Sequence, residues 1–189
     1  MTESLKQKTA KGLFWGAMNS GSTQILNLIF GIVLGRMLSP EIYSVVAILT
    51  IFVAIAGDLQ SSGFTQALLN IKRPTDRDYN SVFSFNVVMS VMMYFILFLC
   101  APLIADFYDR PYLTEVSRVL FLSFLIASIG IAHGGYMMKN MMNKEMAIIG
   151  FIALIVSGAT GITLAFLGKT YWALVWQQIA YITVTVIGK

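Results

Sequence analysis

This 189-residue chain is poor in charge, in cysteine and in histidine. Charged residues make up only 12% of it, against roughly 25% in soluble proteins. Its one cysteine, Cys100, excludes a disulfide framework and any metal site that depends on a CxxC motif. Its one histidine, His133, excludes most zinc enzymes and the hydrolases that depend on a catalytic histidine. The Gly-rich nucleotide-binding motifs are also missing, so the sequence predicts no enzyme, no metal and no cofactor.

Hydrophobic residues take the place of the missing charge. They make up 57% of the chain, and the mean hydropathy is +0.76. A soluble globule of this size could not cover so much apolar surface, and disordered chains are poor in such residues. The composition therefore predicts an integral membrane protein. The net charge of +4 then indicates an uneven distribution of basic residues between loops, not nucleic-acid binding.

Long uncharged runs divide the chain into six predicted membrane-spanning helices. A helix needs about 20 apolar residues to cross the hydrocarbon core of a bilayer. The predicted spans cover residues 12–35, 42–71, 79–105, 119–138, 146–168 and 170–188. The fold class is therefore an all-α, six-helix membrane bundle.

Turn residues mark the breaks between these spans. Ser39-Pro40-Glu41 has the N-cap, the proline and the acidic residue that are typical of a helix start. Thr75 and Asp78 have the spacing of a capping box, with Asp in place of Glu. The connection Gly168-Lys169-Thr170 is so short that it predicts an antiparallel helical hairpin.

The basic residues predict the orientation of the chain in the membrane. Eight Lys and Arg lie at the N-terminus and in the second and fourth loops, whereas four lie in the alternate loops. The loops richer in Lys and Arg face the cytoplasm. With six spans, both termini are predicted to be cytoplasmic.

Polar side chains gather on one side of the first span. This stripe contains Asn19, Ser20, Thr23, Gln24 and Asn27. At 100° per residue its members fall within an arc of ~140°, and branched aliphatic residues lie outside it. Two interpretations stay open. The stripe lines a water-filled cavity, which makes Asn19, Thr23, Gln24 and Asn27 substrate-binding candidates, or it bonds neighbouring helices, with Gly31 and Gly35 permitting close approach.

Three other spans carry isolated polar residues. Asp58 is the only acidic residue within a span, so it is a candidate for ion coupling or substrate contact. The alternative is a helix break near Gly57, with Asp58 capping the second half. Gln177 and Gln178 are adjacent in the sixth span and point about 100° apart. Gln177 is therefore a cavity candidate, with its neighbour bonding another helix. His133 is interpreted as an interhelical hydrogen-bond donor.

Several short strings occur in an order and spacing that resemble a known family. They are Gly12-Leu13-Phe14-Trp15, Leu38-Ser39-Pro40-Glu41, Ser62-Gly63-Phe64-Thr65-Gln66-Ala67-Leu68, Asp78-Tyr79-Asn80-Ser81-Val82-Phe83, Ala101-Pro102-Leu103-Ile104-Ala105-Asp106-Phe107-Tyr108 and Trp172-Ala173-Leu174-Val175, followed by Gln177-Gln178. The chain resembles the N-terminal part of bacterial polysaccharide exporters. These are the O-antigen and lipid-linked oligosaccharide flippases of the multidrug/oligosaccharidyl-lipid/polysaccharide superfamily.

The resemblance implies a fold of two six-helix lobes around a central cavity, of which this chain supplies one. It implies movement of an undecaprenyl-diphosphate-linked oligosaccharide across the bacterial inner membrane by alternating access. The expected partners are that lipid-linked oligosaccharide, the bilayer, and a missing C-terminal lobe or a second copy of the chain. Two alternatives are a multidrug/cation antiporter of the same superfamily, coupled through Asp58, and an inactive truncated fragment.

Cysteine labelling tests the predicted orientation, in a Cys100→Ala background. Asp109→Cys is expected to react with a membrane-impermeant maleimide in intact cells, because the third loop is predicted to be external. Arg73→Cys is expected to react only after permeabilisation, because the second loop belongs to the side richer in basic residues. Labelling of position 109 only after permeabilisation would contradict the orientation.

Overall fold

The computed structural model describes residues 5–61, 70–71 and 75–189. Its side chains are described from residue 21 onward, except at residues 59–61 and 76 in the helices. The described part is helical and contains no strand. Its helices are α1 (Leu5–Met37), α2 (Pro40–Ser61), α3 (Asp76–Phe107), α4 (Leu113–Lys139), α5 (Asn143–Phe166) and α6 (Thr170–Gly188).

Four segments of the described helices are long and apolar enough to cross a membrane. They are Pro40–Asp58, Arg77–Phe107, Leu113–Lys139 and Asn143–Phe166. Helix α6 is not among them, because Gln177 and Gln178 interrupt its apolar sequence. The structure therefore confirms an all-α, multi-pass membrane protein, whereas the count of six spans stays a prediction.

The helix boundaries follow the predicted start and stop signals. Helix α2 begins at Pro40, with Glu41 in its first turn. The capping box before α3 is formed, because the Thr75 N–H donates to Asp78 Oδ2 at 2.8 Å. The α5–α6 hairpin turns at Gly168, whose φ of +72° suits a residue without a Cβ atom.

Helix α4 begins six residues earlier than the predicted fourth span, and this corrects the placement of Arg118. The sequence assigns Arg118 to a loop, but in the structure it lies about 8 Å inside α4. Its Cζ atom lies 4.1 Å from the centroid of the Phe98 ring on α3. A cation–π contact and a long apolar stem make a charge tolerable at this depth.

Two helical hairpins form the centre of the fold. These are α3–α4 and α5–α6, which pack against each other through α4 and α6. Helix α2 lies against both hairpins, while α1 packs on α5. The main core combines buried side chains of α2, α3, α4 and α6, including Leu49, Phe121 and Val175.

Aromatic stacking places the turns of the two hairpins at the same end of the bundle. The rings of Tyr112 and Tyr171 stack with their centroids 5.3 Å apart and their planes 14° from parallel. Arg110 Nη1 donates to the Tyr112 hydroxyl at 2.8 Å, and this hydrogen bond raises the pKa of Arg110 above its ordinary value. Trp172 packs beside Tyr171. This aromatic group lies at the end predicted to be external, as expected for interfacial anchors.

Close helix contact occurs at glycines of α5, not at those predicted on α1. A Cβ atom added at Gly158 would lie 2.4 Å from the Phe30 ring of α1. One added at Gly31 or Gly35 would meet no atom within 4 Å. The expectation that Gly31 and Gly35 permit close packing is therefore wrong for the described chain. Phe30 and Leu34 form the packing face of α1, and these two glycines lie on an exposed flank.

Alanine substitutions test the role of Gly158. We expect Gly158→Ala to destabilise the fold by about 1–3 kcal/mol, because the new methyl group overlaps the Phe30 ring. Gly31→Ala is the matched control, and it is expected to be neutral or to stabilise by up to about 1 kcal/mol through helix propensity. Thermal unfolding in detergent measures both variants. Equal melting temperatures for the two variants would contradict the close contact.

Candidate functional cavity

A cavity of about 370 Å³ lies where α1, α2, α5 and α6 meet. Its lining consists of Asn27, Phe30, Val46, Leu154, Ser157, Leu174, Gln177, Gln178 and Tyr181. The two glutamines lie about 11 Å along α6 from its first residue, which places the polar lining near the middle of that helix. The volume falls within the range of ordinary small-molecule sites.

Three carboxamides from two helices face this cavity. Asn27 reaches it from α1, and Gln177 and Gln178 reach it from α6. None of the three has a hydrogen bond to another described residue. An amide carries two N–H donors and a carbonyl acceptor, so each can bind water or a polar ligand. For Asn27 this arrangement favours the cavity interpretation of the polar stripe over hydrogen bonding between helices.

Small residues of α5 make room for these amides. A Cβ atom added at Gly161 would lie 3.0 Å from Gln177 Oε1, so the glycine lets the amide lie directly against α5. One turn earlier, Ser157 Oγ donates to the Leu154 carbonyl oxygen at 3.0 Å. The hydroxyl hydrogen is thus used in a hydrogen bond within α5, and the lone pairs of Ser157 Oγ stay available to the cavity.

Of the five predicted site residues whose side chains the structure describes, two line this cavity, Asn27 and Gln177. Thr23 is half-buried and engaged in an interaction, and Gln24 is exposed on the flank next to Asn27. The side chain of Asn19 lies outside the described residues. The expectation that only one of Gln177 and Gln178 faces the cavity is wrong, because both line it.

Asp58 is exposed and does not line this cavity. Helix α2 continues unbroken through Gly57 to Ser61, so the predicted helix break is absent from this part of the structure. Asp58 lies about 27 Å along α2 from Pro40.

Sequence reasoning missed several polar residues of the interior. Ser157 and Tyr181 line the cavity, and the spacing of Tyr181 four residues after Gln177 is the signal that could have identified it. Asn86 is fully buried in α3. Its Nδ2 atom donates to the Val82 carbonyl at 2.8 Å, and its Oδ1 atom has no partner among the described residues. The described residues contain no group of three His, Cys, Asp or Glu that could hold a metal ion.

Comparison with known proteins identifies relatives over most of the chain. A family model described as "polysaccharide biosynthesis protein" matches residues 33–189. The teichuronic acid biosynthesis protein TuaB of Bacillus subtilis is 27% identical over 130 residues, 67% of this chain. The lipopolysaccharide biosynthesis protein WzxC of Escherichia coli is 22% identical over 90% of the chain. The succinoglycan biosynthesis transport protein ExoT of Rhizobium meliloti is 25% identical over 94% of it.

These alignments cover 26%, 34% and 36% of TuaB, WzxC and ExoT, so the chain spans about a third of the length of its relatives. No solved structure matches the chain.

Cysteine accessibility tests whether the cavity holds water. In a Cys100→Ala background, Asn27→Cys is expected to react with a small charged thiosulfonate, because the thiol faces a polar cavity. Ile25→Cys is the matched control on the same helix. It is expected to react at least about tenfold more slowly, because Ile25 lies on the exposed apolar face and thiolates do not form in hydrocarbon. Equal reaction rates would contradict an aqueous cavity at Asn27.

Proposed function

Because the chain belongs to the polysaccharide biosynthesis protein family, we propose that it forms one lobe of a lipid-linked oligosaccharide flippase. The lobe moves an undecaprenyl-diphosphate-linked oligosaccharide from the inner to the outer leaflet of the bacterial inner membrane. The observation that carries this proposal is the cavity near the middle of α6, lined by three carboxamides that make no hydrogen bond to a described residue.

Carboxamides are suited to sugar hydroxyls. A hydroxyl group both donates and accepts hydrogen bonds, and the amides of Asn27, Gln177 and Gln178 offer both functions without a fixed charge. A neutral polar wall lets a glycan leave its water shell without being held as tightly as a charged wall would hold it. Phe30 and Tyr181 add aromatic surface to the same wall.

The proposed wall extends along α1 beyond the cavity itself. Gln24 is exposed one turn before Asn27, and Asn19 is predicted to continue the stripe toward the N-terminus. Alternating access requires a second wall opposite this one. We propose that a second lobe supplies it, since the relatives are about three times as long as the aligned segment. A second copy of the chain is the other source of such a wall.

The position of Asp58 favours this proposal over cation-coupled drug antiport. The antiport alternative requires a carboxylate that both the ion and the substrate can reach. Asp58 lies outside the described lining of the amide cavity. The neutral amides therefore favour an uncharged glycan as the molecule in the cavity.

Leucine substitutions in the complete transporter test the proposal. Asn27→Leu and Gln177→Leu are expected to lower surface polysaccharide per folded protein by about tenfold or more, because sugar hydroxyls lose partners worth about 1–3 kcal/mol. Folded abundance is expected to stay near normal, because neither amide has a partner among the described residues. Ile25→Leu is the control on the apolar face of α1. Unchanged polysaccharide per folded protein in both amide variants would show that the cavity does not handle the glycan.

A further inference from the structure

A second cavity lies between α3 and α4 and shares no residue with the amide cavity. Its volume is about 500 Å³. It is lined by Tyr79, Asn80 and Phe83 of α3 and by Ala132, His133 and Tyr136 of α4. Because these residues lie in the first turns of α3 and the last turns of α4, the cleft is at the end of the bundle opposite the Tyr112–Tyr171 stack.

The cleft combines aromatic rings with polar donors. The rings of Tyr79 and Tyr136 meet edge to face, with their centroids 5.8 Å apart, and so connect the two helices. Asn80 and His133 are both exposed and offer N–H groups beside these rings. Sequence reasoning treats His133 as a donor bonded between helices, but no hydrogen bond of His133 to a described residue is formed. Its imidazole is therefore available to a ligand.

The surroundings of the cleft are basic. Arg77 lies three residues before Asn80, and Lys139 lies three residues after Tyr136, so each shares a helix face with a lining residue. The Lys139 ammonium donates to the Ile71 carbonyl, which holds it at this end of the bundle. The charged residues of 70–78 and 139–145 whose side chains the structure describes are three basic and two acidic. One of the acids, Asp78, already accepts hydrogen bonds from Thr75.

An apolar track leads from the cleft toward the middle of the membrane. Leu122, Ile129 and Tyr136 repeat every seven residues, so they lie on one face of α4, and all three are exposed. From Tyr136 to Leu122 this track measures about 21 Å. A polar and basic cleft at one end of an exposed apolar track has the chemical pattern of a phospholipid, with a phosphate headgroup and an acyl chain.

We propose that the α3–α4 cleft binds the phosphate headgroup of an anionic phospholipid of the cytoplasmic leaflet. His133, Asn80 and the Tyr136 hydroxyl donate to the phosphate, Arg77 and Lys139 supply the attractive charge, and an acyl chain lies along Ile129 and Leu122. Basic pockets between membrane helices on the cytoplasmic side are a recognised form of anionic-lipid site. The site is separate from the amide cavity and does not depend on the glycan proposed for it.

Native mass spectrometry of the complete, purified transporter tests the site. The protein is reconstituted with equal amounts of phosphatidylglycerol and phosphatidylcholine, and the lipids retained after detergent extraction are counted. We expect preferential retention of phosphatidylglycerol. In the double variant His133→Leu/Tyr136→Phe that retention is expected to fall by about tenfold, because two hydrogen bonds to a charged group are lost. Asn80→Leu provides a second, single-residue variant that is expected to lower it in the same direction.

Two control variants test whether lipid retention depends on the cleft itself. Tyr108 is exposed at the end of the bundle opposite the cleft. The Tyr108→Phe variant is expected to retain as much phosphatidylglycerol as the unmutated protein. Asn27→Leu is also expected to retain it, so a failure of the glycan proposal leaves this test unaffected. Equal retention of the two lipids, or unchanged phosphatidylglycerol retention in both cleft variants, would overturn the proposal. So would displacement of the lipid by free glycerol phosphate, or preferential retention of undecaprenyl diphosphate.

Discussion

The close approach of α1 and α6 to α5 is the contact on which the candidate cavity depends. Gly158 receives the Phe30 ring, and Gly161, one turn later, receives the Gln177 side chain. Both contacts are so short that a single methyl group would displace the neighbour. Because α5 has glycines on this side, the amides of α1 and α6, two helices distant in sequence, reach the same cavity. A larger residue at either position would push the Phe30 ring or the Gln177 side chain away from α5.

The hydroxyl side chains of the helices and the three amides of the cavity differ in how their hydrogen-bonding groups are satisfied. Ser90, Ser128 and Ser157 donate to a carbonyl three residues earlier, whereas Ser117 and Thr163 donate to one four residues earlier. Such a hydroxyl needs no partner from another helix. The amides of Asn27, Gln177 and Gln178 make no such bond within the described chain. Polar groups that their own helix leaves unsatisfied must face water or a ligand, and this distinguishes the cavity from the serine-rich helix contacts.

The two cavities lie at different positions along the helices. The amide cavity lies near the middle of α6 and has a neutral polar lining, which suits a molecule that passes through. The α3–α4 cleft lies at one end, beside basic residues and beside an apolar track, which suits a molecule that stays in the leaflet. The relatives with 22–27% identity align with 67–94% of the chain, so these positions can be compared with those of proteins named for teichuronic acid, lipopolysaccharide and succinoglycan biosynthesis.

The sequence alone determined the class of the protein, the family and several helix starts and turns, because these depend on local features, although α4 begins six residues before the predicted span. Apolar runs, the Pro40 start, the Thr75–Asp78 capping box and the Gly168 turn each act within a few residues. Which polar residues meet depends on contacts between distant helices, and only the tertiary structure decided it. The tertiary structure places Asn27, Gln177 and Gln178 around one cavity and leaves Asp58 outside it. It also placed close packing at Gly158, because a glycine permits contact only where another helix presents a side chain such as Phe30.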